Sequence, residues 1–132
     1  MITGYDHVQV AIPVGAEDVA RAFYGRVLAM TELPKPAALA GRGGCWFWSG
    51  TAVLHVGVEE PFAPARRAHL ALVLDDVDAL DRIAARLRAA DHLVDQSERD
   101  TFIGYLRFHT FDPHGNRVEV LAPFVLRSSR SC

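Results

Sequence analysis

The sequence predicts an α+β fold built from two copies of a βαβββ-like unit. Stretches in which apolar and polar residues alternate predict short strands, and two stretches with helical spacing separate them. The order strand, helix, strands occurs twice. The copies align with His7 on His69 and with His55 on Glu119, at offsets of about 62 and 64 residues. Because an internal repeat decides the fold, we expect equivalent faces of two sheets to line one shared cleft.

The first unit begins with an alternating strand at residues 7–12. Residues 16–29 place apolar side chains four apart, which forms one face of a helix. Residues 31–44 are rich in Pro, Ala and Gly and predict a loop. Strands at 45–48 and 52–58 complete the unit, because the Ser-Gly-Thr between them is typical of a tight turn.

The second unit repeats this order. Residues 69–74 predict a strand. Asp75 and Asp76 are both good N-cap candidates for a helix over 77–87, where apolar residues recur at helical spacing. Strands follow at 105–111 and 117–121, joined by a turn that contains Pro, Gly and Asn.

Length and charge place the chain among small globular proteins. Its 132 residues, half of them hydrophobic, suit one domain, with modules at about 4–58 and 67–122 and a linker at 59–67 that contains two prolines. A net charge of −2 indicates no basic face for nucleic acid. No apolar run approaches the roughly 20 residues of a membrane helix.

Two further observations favour a cytoplasmic protein. The N-terminus lacks a basic region followed by an apolar stretch, so we expect no secretory signal peptide. Cys45 and Cys132 make no disulfide framework. We expect Cys45 to be a small buried residue rather than a nucleophile, since nothing near it in sequence would lower its pKa.

Strand parity predicts a divalent-metal site. His7, His55, His69 and Glu119 each lie opposite the apolar residues that must cover the helices, so all four should face the shared cleft. Imidazoles suit Zn, Ni, Fe or Cu, and a carboxylate adds Fe and Mn. A single strand histidine is more often a core or surface residue than a ligand, but four such residues at matching positions of a repeat are not independent.

Hairpin partners supply the walls of the cleft. A near-symmetric hairpin places His109 opposite Glu119, and partners across a hairpin share a face. By the same parity Trp46 and Trp48 share the face of His55. For the tryptophans, contact with a ligand and plain core packing remain alternatives.

Four other residues have expected positions. Arg107 has the parity of His109, and it either holds an anionic group or is a solvated residue near the strand end. His92 and His114 are interpreted as surface residues. Phe111 is expected to wall the same cavity as the tryptophans.

The motifs at these residues resemble those of the vicinal oxygen chelate superfamily, which includes glyoxalase I, fosfomycin-resistance proteins, bleomycin-binding proteins and extradiol dioxygenases. The resemblance spans about residues 4–122, and its most specific part is the DP-x-GN-x-x-E hairpin at 112–119. It implies two βαβββ modules in a half-open barrel (the glyoxalase-like fold), a homodimer and a metal inside the barrel.

Carried over by position, the resemblance implies a metal triad of His7, His69 and Glu119. His55 falls at the fourth metal position, where glyoxalase I has an acidic or amide residue, so glyoxalase I activity itself is in doubt. Two functions remain open. The first is an enzyme that uses Zn, Ni, Fe or Mn and acts as a lyase, isomerase or dioxygenase on a small oxygenated molecule. The second is a metal-free protein that binds a drug or other small molecule, as bleomycin-resistance proteins do.

Overall fold

The N-terminal half forms one sheet of four strands. The structure is a computed structural model that describes residues 1–125, so Cys132 lies outside the described residues. The strands are β1 (Val8–Ile12), β2 (Thr31–Leu33), β3 (Cys45–Ser49) and β4 (Ala52–Val58), in the order β1-β4-β3-β2. The C-terminal half forms a second sheet from β5 (Leu70–Val73), β6 (Tyr105–Phe111) and β7 (Arg117–Pro123), in the order β5-β7-β6.

The two sheets repeat one pairing scheme. In each, the first strand runs parallel to the last, and the last runs antiparallel to its hairpin partner. Val8 pairs with Leu54, and Leu70 pairs with Val118. Val8 and Leu70 are therefore about 62 residues apart, and Leu54 and Val118 about 64 apart. These are the offsets that align His7 with His69 and His55 with Glu119. The predicted α+β class and glyoxalase-like fold are confirmed.

Helices between the sheets account for the apolar periodicity. Helix α1 (Glu17–Ala20) continues as a π-helix over Arg21–Val27, in which each turn closes five residues back. Helix α2 (Val77–Ala89) begins where Asp76, one of the two predicted N-cap candidates, accepts a hydrogen bond from Ala79 N at 2.8 Å. Together with the sheets they form one core, whose largest fully buried side chains come from both halves: Tyr24, Phe23, Phe47, Phe108, Ile12, Leu54, Leu80 and Leu87.

The loop predicted at 31–44 is wrong in part. Thr31–Leu33 pairs antiparallel with β3 as a short edge strand, and Ala37–Arg42 forms a 3₁₀ helix. Three residues are too few to show an alternation, and single 3₁₀ turns have no distinct apolar period. Among residues 1–125, the second sheet has a counterpart of this edge strand only as an isolated bridge between Asp95 and His109.

A buried polar network joins the two halves at the turn between β6 and β7. Asp112 accepts hydrogen bonds from Tyr24 OH at 2.8 Å and from Asn116 Nδ2 at 2.8 Å. Asn116 Nδ2 also donates to the Ala11 carbonyl at 2.8 Å, and Asn116 Oδ1 accepts from Ala65 N at 2.9 Å. The turn is thereby fixed to helix, strand and linker at once.

We expect Asn116→Ala to destabilise the protein by about 3 kcal/mol, because it leaves several buried polar groups without partners at about 1–3 kcal/mol each. Urea unfolding followed by circular dichroism measures the change. Arg82→Ala, on the exposed side of α2, is the control and should cost less than about 0.5 kcal/mol. Equal midpoints for Asn116→Ala and the wild type would contradict the role given to the network.

Tyr24 should make stability fall at alkaline pH. Burial, and next the Asp112 carboxylate, raise the pKa of Tyr24 well above its usual value. The folded state therefore keeps a proton that the unfolded chain loses near pH 10. The contribution of this proton to the free energy of unfolding is complete below about pH 10. Above that pH the free energy of unfolding falls by about 1.4 kcal/mol per pH unit. The stability difference between wild type and Tyr24→Phe should narrow between pH 8 and pH 11. It should not narrow for Tyr5→Phe, at an exposed tyrosine.

Candidate metal centre

Three potential metal ligands meet on the second sheet. His69, His109 and Glu119 each offer one ligand atom, and these atoms lie within 4.8 Å of one another. Glu119 lies on the central strand β7, directly opposite His109 on β6, as predicted. His69 immediately precedes β5, which pairs on the other side of β7. The cluster therefore stands on two strands of a hydrogen-bonded sheet and on the residue immediately before the third.

The histidines are oriented for ligation. His69 Nδ1 lies 2.9 Å from the Arg67 carbonyl oxygen, which holds the proton on Nδ1 and leaves the lone pair on Nε2. His109 is 3% exposed, and burial, followed by the charge of Arg117, lowers its pKa. A neutral imidazole is the form that binds a metal.

Glu119 is a buried carboxylate surrounded by cationic and polar donors. Its side chain is buried, and Oε1 lies 3.2 Å from His109 Nε2, 3.4 Å from His69 Nε2 and 3.1 Å from Arg107 Nη1. All of these contacts fall on Oε1. Among residues 1–125 no hydrogen bond reaches Oε2, which is therefore available to a further cation.

Arg107 is a part of the site that the sequence left open. The alternative of a solvated residue is wrong, since its side chain is only 18% exposed and pairs with Glu119. Its guanidinium also donates hydrogen bonds to the Glu98 carbonyl at 3.2 Å and to Thr101 Oγ1 at 2.8 Å, which hold it in place. Its parity with His109 was the available signal. The loop at 98–101 that holds it has no sequence pattern of its own.

The donor set fits a divalent transition metal. Two imidazole nitrogens and one carboxylate on rigid strands form the kind of triad that binds Zn, Fe, Mn or Ni. The backbone contact behind His69 supplies the outer support that such ligands need. Arg107 opposes the metal electrostatically, but it contacts one carboxylate oxygen and leaves the other free.

His7, immediately before β1, and His55, on β4, are not members of this cluster, which was the one found among residues 1–125. Their rings stack at a centroid distance of 3.9 Å, and His55 stacks in turn on Trp46 at 3.8 Å. His7 Nδ1 is 2.8 Å from Asp6 Oδ1. In a single chain, the four predicted ligands therefore do not meet in one cleft. His7 and His55 lie together beside the first sheet, and His69 and Glu119 lie together at the second.

A cavity of about 420 Å³ opens over the stacked rings. Lys35 and Arg42, on the segment that contains the 3₁₀ helix, also line the cavity, and the sequence singled out neither residue. Gly44 lets this segment approach β4, because a Cβ there would lie 2.1 Å from the Val56 carbonyl oxygen. The glycines at 43 and 44 were the signal for a close backbone approach.

The predicted wall residues divide between the sheets. Trp46 is half-buried on its His55 partner, and Trp48 is 42% exposed, so neither is a plain core residue. Phe111 is 37% exposed and lines a separate cavity together with His109. Their contact with a ligand remains a prediction.

Two histidines expected at the surface are partly buried. His92 packs edge-on against Phe23 at 5.0 Å, and Nε2 of His114 is buried without a hydrogen-bond partner among residues 1–125. Sequence could not show this, because the packing partners lie in distant segments. Cys45 is buried as expected, and burial raises the pKa of its thiol to about 11.

We expect Arg107→Gln to destabilise the metal-free protein by about 3 kcal/mol, since it leaves a buried carboxylate with reduced compensation. Arg99→Gln is the matched control, because Arg99 pairs with Asp81 at a more exposed site and should cost under about 1 kcal/mol. Chemical denaturation in the presence of a chelator measures both. A loss no larger for Arg107→Gln than for Arg99→Gln would mean that the pair is dispensable.

Within residues 1–125, no helix has the length and apolar character that crossing a bilayer requires.

Comparison with family models matches residues 4–120 to the Glyoxalase/Bleomycin resistance protein/Dioxygenase superfamily. No curated protein matches the chain.

Solved structures give the same result. A protein from Bacillus anthracis, described as a glyoxalase family protein, is 43% identical, with 94% of this chain and 98% of that one covered and a TM-score of 0.85. FosX, a fosfomycin resistance protein from Listeria monocytogenes, is 13% identical over 95% and 97% of the two chains, with a TM-score of 0.73. Lactoylglutathione lyase from Agrobacterium tumefaciens is 23% identical over 87% and 91%, with a TM-score of 0.63. The last two are similar in fold alone.

Proposed function

Because the chain belongs to the Glyoxalase/Bleomycin resistance protein/Dioxygenase superfamily, we propose that it is a divalent-metal-dependent enzyme acting on a small oxygenated molecule. The supporting observation is the cluster of His69, His109 and Glu119, whose ligand atoms lie within 4.8 Å of one another. The reaction class is that of a lyase, isomerase or dioxygenase. Among the solved structures of the same fold, one is described as a lactoylglutathione lyase.

By family position the metal would be held by His69, Glu119 and His7, so that His109, the remaining member of the cluster, would lie beside the metal rather than on it. A bound metal would act as a Lewis acid toward two adjacent substrate oxygens. His109, buried and 3.2 Å from Glu119, would then be the neighbouring group that holds or moves a proton. Arg107 keeps the carboxylate in place. His55 would stand behind His7, against which it stacks.

A homodimer would unite the two groups of ligands. His7 is exposed immediately before the first strand of the first sheet, and the cluster on the second sheet does not include it. A second copy could place its first sheet over the second sheet of its partner. Two equivalent sites would result from one twofold axis, each with ligands from both chains.

Metal-free binding of a small molecule is the second candidate. Arg107 already compensates Glu119 without any metal, which favours this alternative. The Trp46 and His55 rings, parallel within 1°, would present a flat surface to an aromatic ligand. In that case a ligand would quench tryptophan fluorescence and no metal would be required.

Metal content after purification without chelators decides between the two. The enzyme proposal expects about one Zn, Ni, Fe or Mn per chain by mass spectrometry. Glu119→Gln and His69→Ala should lose most of it, since losing one ligand weakens binding by at least about 10–100-fold. Glu59→Gln, at an exposed glutamate, should retain it. A metal-free wild type, together with tight binding of aromatic compounds, would support the second candidate.

Mixed dimers test whether two chains share a site. His7→Ala and Glu119→Gln should each retain little metal after desalting. Mixing and re-equilibrating them should recover about a quarter of the sites, because half of the dimers would be mixed and each would hold one intact site. A double variant with both changes in one chain, mixed with itself, should recover none. No recovery from dimeric mixtures of the single variants would place all ligands of a site in one chain.

A further inference from the structure

We propose that His55 positions the ring of His7 and does not itself bind the metal, although it falls at the fourth ligand position of the family. The ring of His55 lies between those of His7 and Trp46. This stack of three rings fixes the plane in which His7 presents its ligand nitrogen. The proposal rests on the function proposed above, because it takes His7 as a metal ligand.

The register of the first sheet brings the three rings together. His55 on β4 pairs directly with Trp46 on β3 and with Gln9 on β1. Partners across an antiparallel pair share a face, so the ring of Trp46 lies against that of His55. The Gln9 side chain lies over Gly57 instead, where a Cβ would be only 2.8 Å from Gln9 Nε2. The second face of the His55 ring is therefore left to His7, two residues before Gln9.

The rings are in face-to-face contact on both sides of His55. Its centroid lies 3.8 Å from that of Trp46, and the two ring planes differ by 1°. It lies 3.9 Å from the centroid of His7, and these two planes differ by 16°. The χ2 torsion of a histidine has broad minima, so a contact with a neighbouring group is needed to fix the plane of its ring. The stack supplies that contact for His7.

Two stacked imidazoles cannot both bind one metal ion. The lone pair of an imidazole nitrogen lies in the plane of the ring, and a bound metal lies near that plane at about 2.0–2.1 Å from the nitrogen. Because the rings of His7 and His55 lie in separate and nearly parallel planes, an ion in the plane of His7 is well outside the plane of His55. Ligation by both residues would break the stack.

Asp6 gives His7 a second support. Its Oδ1 lies 2.8 Å from His7 Nδ1, which holds the proton on Nδ1 and leaves the lone pair on Nε2. His69 has the same arrangement, with the Arg67 carbonyl in place of the carboxylate. The hydrogen bond fixes the rotation of the His7 ring within its plane, and the stack fixes the plane itself.

Titration with Co(II) tests the proposal, since the visible absorption of the ion reports the number and type of its ligands. His55→Phe keeps an aromatic ring but removes both nitrogens, so we expect an unchanged spectrum and nearly the wild-type affinity. His55→Ala removes the ring and should weaken binding about tenfold, as the loss of an outer support does. His92→Ala is the matched control, because it removes a histidine ring that packs on Phe23 away from the stack, and it should not change the affinity.

A loss of tenfold or more in His55→Phe, with a changed Co(II) spectrum, would make His55 a ligand and overturn the proposal. Wild-type affinity in His55→Ala would overturn it as well, because the ring would then have no effect on His7. Circular dichroism of each variant shows that the affinities compare folded proteins.

Proton NMR of the metal-free protein tests the stack without any metal. The ring protons of His7 should be shifted upfield by the ring that faces them. The shift should persist in His55→Phe and disappear in His55→Ala. A wild type that binds no metal but shows this shift would refute the enzyme and support the stack. A wild type that binds metal without the shift would overturn the stack and leave the enzyme standing.

Discussion

The buried hydrogen bonds of Asp112 and Asn116 are the constraint on which the rest of the molecule depends. They close the turn between β6 and β7, and that turn sets the register that places His109 opposite Glu119. They also tie the turn to Tyr24 and to the Ala11 carbonyl in the other half of the chain. A buried network of this kind is favourable only when every member is satisfied. The network therefore tolerates little change in geometry, and the positions of His109 and Glu119 are fixed with it.

The second constraint is the buried charge of Glu119. A carboxylate out of water needs compensation, and the sheet surrounds it with Arg107, His69 and His109. The result is a face whose functional groups are cationic or metal-ligating. The first sheet presents a different chemistry at equivalent positions, with Trp46 where the second has His109. One repeat has therefore yielded an aromatic face on the first sheet and a charged face on the second.

Much of the fold could be predicted because short-range sequence patterns determine it. Period-2 alternation gave the strands, and the offsets between His7 and His69 and between His55 and Glu119 recur in the strand pairing itself. Parity also put His109 beside Glu119. The 3₁₀ segment and the ion pair of Arg107 could not be predicted, since they depend on contacts between distant segments, such as the 98–101 loop behind the guanidinium. The separation of His7 from the cluster likewise depends on how the two halves pack, which strand parity does not encode.

The central claim is that the cluster on the second sheet binds a divalent metal through imidazole and carboxylate. X-ray absorption spectroscopy of zinc-loaded protein tests it most directly. We expect a first shell of nitrogen and oxygen at about 2.0–2.2 Å, with the outer-shell scattering of at least two imidazole rings, and the loss of this pattern in Glu119→Gln. A shell of oxygen atoms alone, or an identical spectrum for Glu119→Gln, would contradict the claim.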